Sequence, residues 1–139
     1  MSNVDVCNKM METFNSRDWV ANRELIAENC TYIEFATGAE TTGPDAWIQN
    51  SQQWAGAMSN AKGEVKSSFV AGNTVIQELT WSGTMDGPMM SPDGQTIPPT
   101  NKSMTTNATW IVTVENGKAT RAHHYFDMMS MMVQLGLAG

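Results

Sequence analysis

Residues 103–127 read SMTTNATWIVTVENGKATRAHHYFD. Two runs rich in β-branched and aromatic residues flank Asn116-Gly117, a pair that favours a two-residue hairpin turn. The stretch predicts two antiparallel strands, 103–115 and 118–127. Upstream, residues 64–71 and 74–85 repeat the pattern around Gly72-Asn73. The insert 86–101 holds Gly87, Pro88, Pro92, Gly94, Pro98 and Pro99, so it reads as a loop bordering a functional region. Nearer the N-terminus the period lengthens. Val4, Cys7, Met11 and Phe14 recur at helical spacing over 4–16. A second helix is expected over 19–28, capped by Asp18 and stopped at Asn29. Residues 31–35 read as a strand and 37–43 as a loop. Pro44 opens a third helix that places Trp47, Ser51, Trp54 and Met58 on one face. A last helix is expected from Met128 to Gly136. Helices followed by a run of hairpin strands predict an α+β fold: a curved antiparallel sheet with helices on its concave side, a cone-shaped barrel around a pocket.

A chain of 139 residues fits a single domain spanning 1–139. The net charge of −6, with eight scattered Lys and Arg, argues against nucleic acid as a partner. No apolar run approaches the ~20 residues of a membrane span, and the acidic N-terminus lacks a secretory pattern, so a cytoplasmic location is expected. Cys7 and Cys30 stand far apart without a Cys-x-x-Cys motif, and buried free thiols are expected.

Candidate chemistry concentrates on residues 121–127. Alternation puts Arg121, His123, Tyr125 and Asp127 on one face and Ala122, His124 and Phe126 on the other. Asp127, where strand meets helix, is either an N-cap or a carboxylate facing an apolar cavity, where burial would make it a general acid and base. Adjacent histidines point opposite ways and cannot readily share a metal. Five tryptophans and twelve methionines suggest a roomy apolar cavity for a small hydrophobic ligand. Trp47, Trp54, Trp81 and Trp110 are its expected lining, with His123, His124 or Tyr125 as hydrogen-bond donors to a developing oxyanion. No Gly-x-Ser-x-Gly and no phosphate loop is present, which leaves acid–base chemistry.

Asn116-Gly117-Lys118, then His124-Tyr125-Phe126-Asp127 and Gln134-Leu135-Gly136, resemble the end of a SnoaL-like polyketide cyclase, a family with the nuclear transport factor 2-like fold. Trp81-Ser82-Gly83-Thr84 after Gln77-Glu78, Ile97-Pro98-Pro99-Thr100, and Gly43-Pro44-Asp45-Ala46 extend the resemblance over nearly the whole chain. Met85 stands where many relatives carry a histidine, so the resemblance implies that it lines the pocket. The resemblance implies intramolecular aldol ring closure of a polyketide without cofactor or metal, with Asp127 as acid and base. It also implies pairing of copies through the outer sheet face, in a homodimer or larger assembly. Two alternatives share the fold: a non-catalytic binding or dimerisation module, and an epoxide hydrolase or isomerase.

Overall fold

A computed structural model describes residues 1–91 and 93–138; Pro92 of the insert and Gly139 lie outside the described residues. Helix α1 (Asn3–Asn15) starts at a capping box, in which Ser2 Oγ accepts from the Asp5 backbone and Asp5 accepts from the Ser2 backbone. Helix α2 (Trp19–Glu24) is capped by Asp18, as its sequence predicts. Strand β1 (Ile26–Glu34) and strand β2 (Ala39–Thr42) form a hairpin through Gly38, and helix α3 (Pro44–Ala57) follows. Gly43, with φ +86°, turns the chain into α3, a conformation in which a Cβ would be strained. Strands β3 (Lys62–Ala71) and β4 (Thr74–Thr84) form the next hairpin. The insert is not all loop: β5 (Met89–Met90) and β6 (Thr96–Ile97) pair within it. Strands β7 (Ser103–Glu115) and β8 (Lys118–Phe126) join through Asn116 and Gly117, whose φ values of 53° and 76° suit the turn. Helix α4 (Met128–Gln134) completes the order.

Six strands form one curved sheet in the order β2-β1-β8-β7-β4-β3. Every pairing is antiparallel except the β1–β8 seam, which is parallel. The second helix is four residues shorter than its sequence suggests. Ile26, expected in that helix, instead pairs with Ala119 across this seam and is buried. A register shift between Ile26 and Thr31 leaves Ile26 and Cys30 four residues apart on the buried face, a spacing that imitates a helix.

The inner face of the sheet carries the core. Val75, Leu79, Trp110, Val112, Val114, Ala119 and Ala122 pack there against Val6, Cys7, Met10 and Met11 of α1 and Trp47 and Ile48 of α3. A second cluster, with Met58, Met85, Met89, Met104, Met131 and Leu135, joins the ends of α3 and β4 to α4. Cys7 and Cys30 are free and buried, as expected, and burial pushes both thiols up to about 12.

Candidate active site

The sheet register builds the site. Across the inner face, Glu34 of β1 lies beside His124 of β8, His124 beside Trp110 of β7, and Trp110 beside Gln77 of β4. Trp81 of β4 and Trp47 and Trp54 of α3 complete the walls of a cavity that also touches Phe14, Met58, Met104, Phe126 and Met131. Its volume is about 80 Å3. A cavity of about 150 Å3 holds benzene, so a ring system enters only if side chains move aside. The flexible methionines of the lining can do so.

Within these walls Trp81, His124, Tyr32 and Glu34 form one hydrogen-bonded chain. Trp81 Nε1 donates to His124 Nε2 at 3.1 Å. His124 Nδ1 lies 3.0 Å from Tyr32 Oη, which donates to Glu34 Oε2 at 2.6 Å. Among the described residues, the only buried side-chain polar atom without a partner is Thr41 Oγ1, outside the cavity. Burial, opposed by the Glu34 charge, pushes His124 from 6.5 down to about 4. Burial, then the Glu34 charge, holds the Tyr32 phenol well above its usual value. At neutral pH the imidazole and the phenol are therefore both uncharged.

His124 also links folding to pH. The unfolded chain takes up this proton below about 6.5, the folded chain only below about 4. Stability is expected to hold above pH 6.5 and to fall by about 3 kcal/mol between pH 6.5 and 4. Urea titrations at pH 7 and 4.5, with His124→Gln as control, check this. Equal loss in both proteins would assign the acid sensitivity to other groups.

The expected residues divide between two faces. His124, Trp47, Trp54, Trp81 and Trp110 come together in the cavity. Met85 does not: it is fully buried in the second cluster, with Sδ accepting from Thr100 Oγ1 at 3.7 Å. His123, Tyr125 and Asp127 lie on the outer side. Arg121 Nε donates to His123 Nε2 at 3.2 Å, and burial, then the Arg121 charge, lowers the His123 pKa. Tyr125 is exposed and stacks on Phe35, ring centroids 4.6 Å apart. The carboxylate of Asp127 is exposed rather than turned into the cavity, and Oδ1 accepts from Ser130 N at 2.9 Å as the N-cap of α4. Strand alternation is the reason, because Asp127 falls three residues after the inward His124.

Asp127→Ala is expected to lower stability by about 1 kcal/mol through loss of the cap, with ligand affinity of the cavity unchanged. Thermal melts and binding of an aromatic ketone check both halves; a binding loss with unchanged stability would restore the carboxylate to the site.

Tyr32 and Glu34 were not among the residues expected in the site. Their signal was present in the sequence: a carboxylate two residues after an inward tyrosine on a strand shares its face. Three titratable side chains line the cavity, Tyr32, Glu34 and His124. Among the described residues no three His, Cys, Asp or Glu side chains group as metal ligands.

A curved sheet closed by helices over such a cavity is the nuclear transport factor 2-like, or ketosteroid isomerase-like, architecture. Within it, the chain belongs to the SnoaL-like polyketide cyclase family, whose model matches residues 5–135. A SnoaL-like polyketide cyclase candidate from Jannaschia superposes with a TM-score of 0.85 at 16% identity, over 99% of this chain and 93% of that one. IdmH of Streptomyces antibioticus, a candidate polyketide cyclase, gives 0.84 at 22% identity, over 98% and 99%. A protein of Catenulispora acidiphila in complex with trimethylamine gives 0.80 at 18% identity, over 95% and 92%. At these identities the likeness establishes the fold. No curated protein matches the chain.

Proposed function

We propose that the protein is a cofactor-independent cyclase that closes a ring in a hydrophobic carbonyl compound of polyketide type by an intramolecular aldol reaction, with His124 as the proton carrier. The supporting observation is a neutral imidazole inside a tryptophan-walled cavity, its Nε2 accepting from Trp81 Nε1. A carbon between two carbonyls loses its proton to Nε2, the resulting enolate forms the carbon–carbon bond at a second carbonyl, and the protonated imidazole returns the proton to the new alkoxide. Nothing is consumed. The indole N–H of Trp81 turns from Nε2 to the substrate carbonyl, which frees the lone pair and puts a donor on the developing enolate oxygen. Asp127, the acid and base implied by the family motif, keeps the capping role in this reading. Arg121 and Asp127 both lie on the outer face, outside the reach of an epoxide in the cavity.

The test is ring closure of linear poly-β-carbonyl esters, followed by absorbance and mass spectrometry. Catalysed closure is the expected result. Tight binding of an aromatic ketone with no closure of any such ester would instead support the binding module, which the small cavity and its paired polar atoms also accommodate.

A second copy is the partner proposed for the outer sheet face. Phe69, Ile76 and Ile111 lie side by side across it, continued by Phe35 and Tyr125, and each is exposed or half-buried. Light scattering is expected to give twice the 15.2 kDa chain mass, and Phe69→Glu to reduce it; a monomer at all concentrations rejects this pairing.

A further inference from the structure

We infer that Glu34 is a positioning residue that acts on His124 through Tyr32, holding the imidazole as its Nδ1–H tautomer and stabilising the charge when Nε2 receives a proton. The inference rests on His124 as proton carrier, and its geometry is independent of the substrate. An indole N–H can only donate, so His124 Nε2 must accept from Trp81. A neutral imidazole that accepts at Nε2 carries its proton on Nδ1, and that proton points to Tyr32 Oη. The tyrosine O–H is then committed to Glu34 Oε2. The chain thus has a single direction, from indole to carboxylate.

The carboxylate end is fixed. Thr37 Oγ1 donates to Oε1 at 2.7 Å, Asn50 Nδ2 to Oε2 at 3.1 Å, and Trp54 Nε1 lies 3.2 Å from each oxygen. Glu34 is 1% exposed, and among the described residues it has no ion-pair partner. Every donor it meets is neutral. A buried carboxylate is a poor device for stability alone, whereas one phenol away from a proton-accepting imidazole it has a task. The other titratable groups cannot substitute for it. From β1 His124 meets Tyr32 and Glu34; from β4, β7 and its own strand it meets Trp81, Trp110 and Phe126, which carry no charge.

The proton accounting closes. A substrate proton arriving at Nε2 makes an imidazolium, Nδ1–H stays on Tyr32, the phenolic proton stays on Glu34, and the negative carboxylate stabilises the cation across the phenol. The same proton leaves from Nε2 to the alkoxide, and the chain returns to its starting state.

Nitrogen-15 NMR of histidine-labelled protein at neutral pH reads the tautomer directly. The expected result is a protonated Nδ1 and an unprotonated Nε2 at His124, with the Nδ1 signal shifted in Tyr32→Phe, where Nδ1–H loses its acceptor. In turnover, Glu34→Gln and Tyr32→Phe are each expected to lower kcat about 10–100-fold with little change in KM. Both should move the acid limb of the kcat/KM profile to lower pH, and the double variant should be no worse than either single one. A wild-type Nε2–H tautomer, or variants with unmoved Nδ1 signal and acid limb, overturns the relay. If Glu34→Gln does not fold, the wild-type tautomer and Tyr32→Phe decide. A wild type with the expected tautomer that closes no ring overturns the cyclase reading and leaves the relay standing. Loss of activity in His124→Gln with Glu34→Gln unaffected does the reverse.

Discussion

His124→Gln is expected to reduce ring closure by about 10²–10⁴-fold, the range for loss of general acid–base help, while the protein stays folded. Glutamine is chosen because its amide can replace both hydrogen bonds. Its oxygen can accept from Trp81 and its nitrogen can donate to Tyr32, so neither buried partner is stranded. What the amide cannot do is take a proton from carbon. The variant separates the imidazole's chemistry from its packing, since the rings around it, Trp81, Trp110 and Phe126, remain in place. A residual rate should persist, because the cavity still restricts the substrate. The wild-type kcat/KM should decline toward acid near pH 4, where His124 takes up its proton, and that limb should vanish in the variant. Unimpaired turnover in His124→Gln would remove the imidazole from the mechanism.

Trp110→Ala is expected to lose about 3–5 kcal/mol of stability, the range for truncating a large buried aromatic. Trp110 is 6% exposed and stands between the cavity and the core of β4. Its Nε1 donates to Gln77 Oε1 at 2.8 Å, while Gln77 Nε2 donates to Asn8 Oδ1 and Ser68 Oγ at 2.8 and 3.0 Å. Gln77 is fully buried, so truncation both opens a hole and strands an amide oxygen. With stabilities of about 5–15 kcal/mol typical of such domains, this single change can bring the chain close to unfolding. Trp110→Phe keeps most of the ring and removes only the donor; about 1–3 kcal/mol is expected there. Urea unfolding of the three proteins checks the order. A Trp110→Ala midpoint equal to wild type would show that the ring is not part of the cooperative core.

The strands of the sheet were legible because their apolar residues alternate and their turns carry Gly72 and Asn116-Gly117. The boundary near Ile26 was not, because a register shift gives the buried residues a helical spacing. On β8 the two faces were sorted correctly, but which face is inward was hidden. The reason lies outside that strand. Ile76 and Ile111 make the outer face of the sheet apolar too, so hydrophobicity does not mark the inside. Asp127 ends a family motif and starts a helix, whereas Glu34, between Ile33 and Phe35, reads as one more alternating residue. Its burial depends on Asn50, Trp54 and His124, which come from other elements and which no local pattern announces.

The parallel seam between β1 and β8 also dates the site within biosynthesis. Tyr32 and His124 are 92 residues apart, and the hydrogen bond between them cannot form until a ribosome has translated and released β8. At about 5–20 residues per second, the stretch between the two residues takes several seconds to translate. The nascent protein passes most of its synthesis without the Tyr32–His124 hydrogen bond, and the cavity that both residues line can close only after β8 is made.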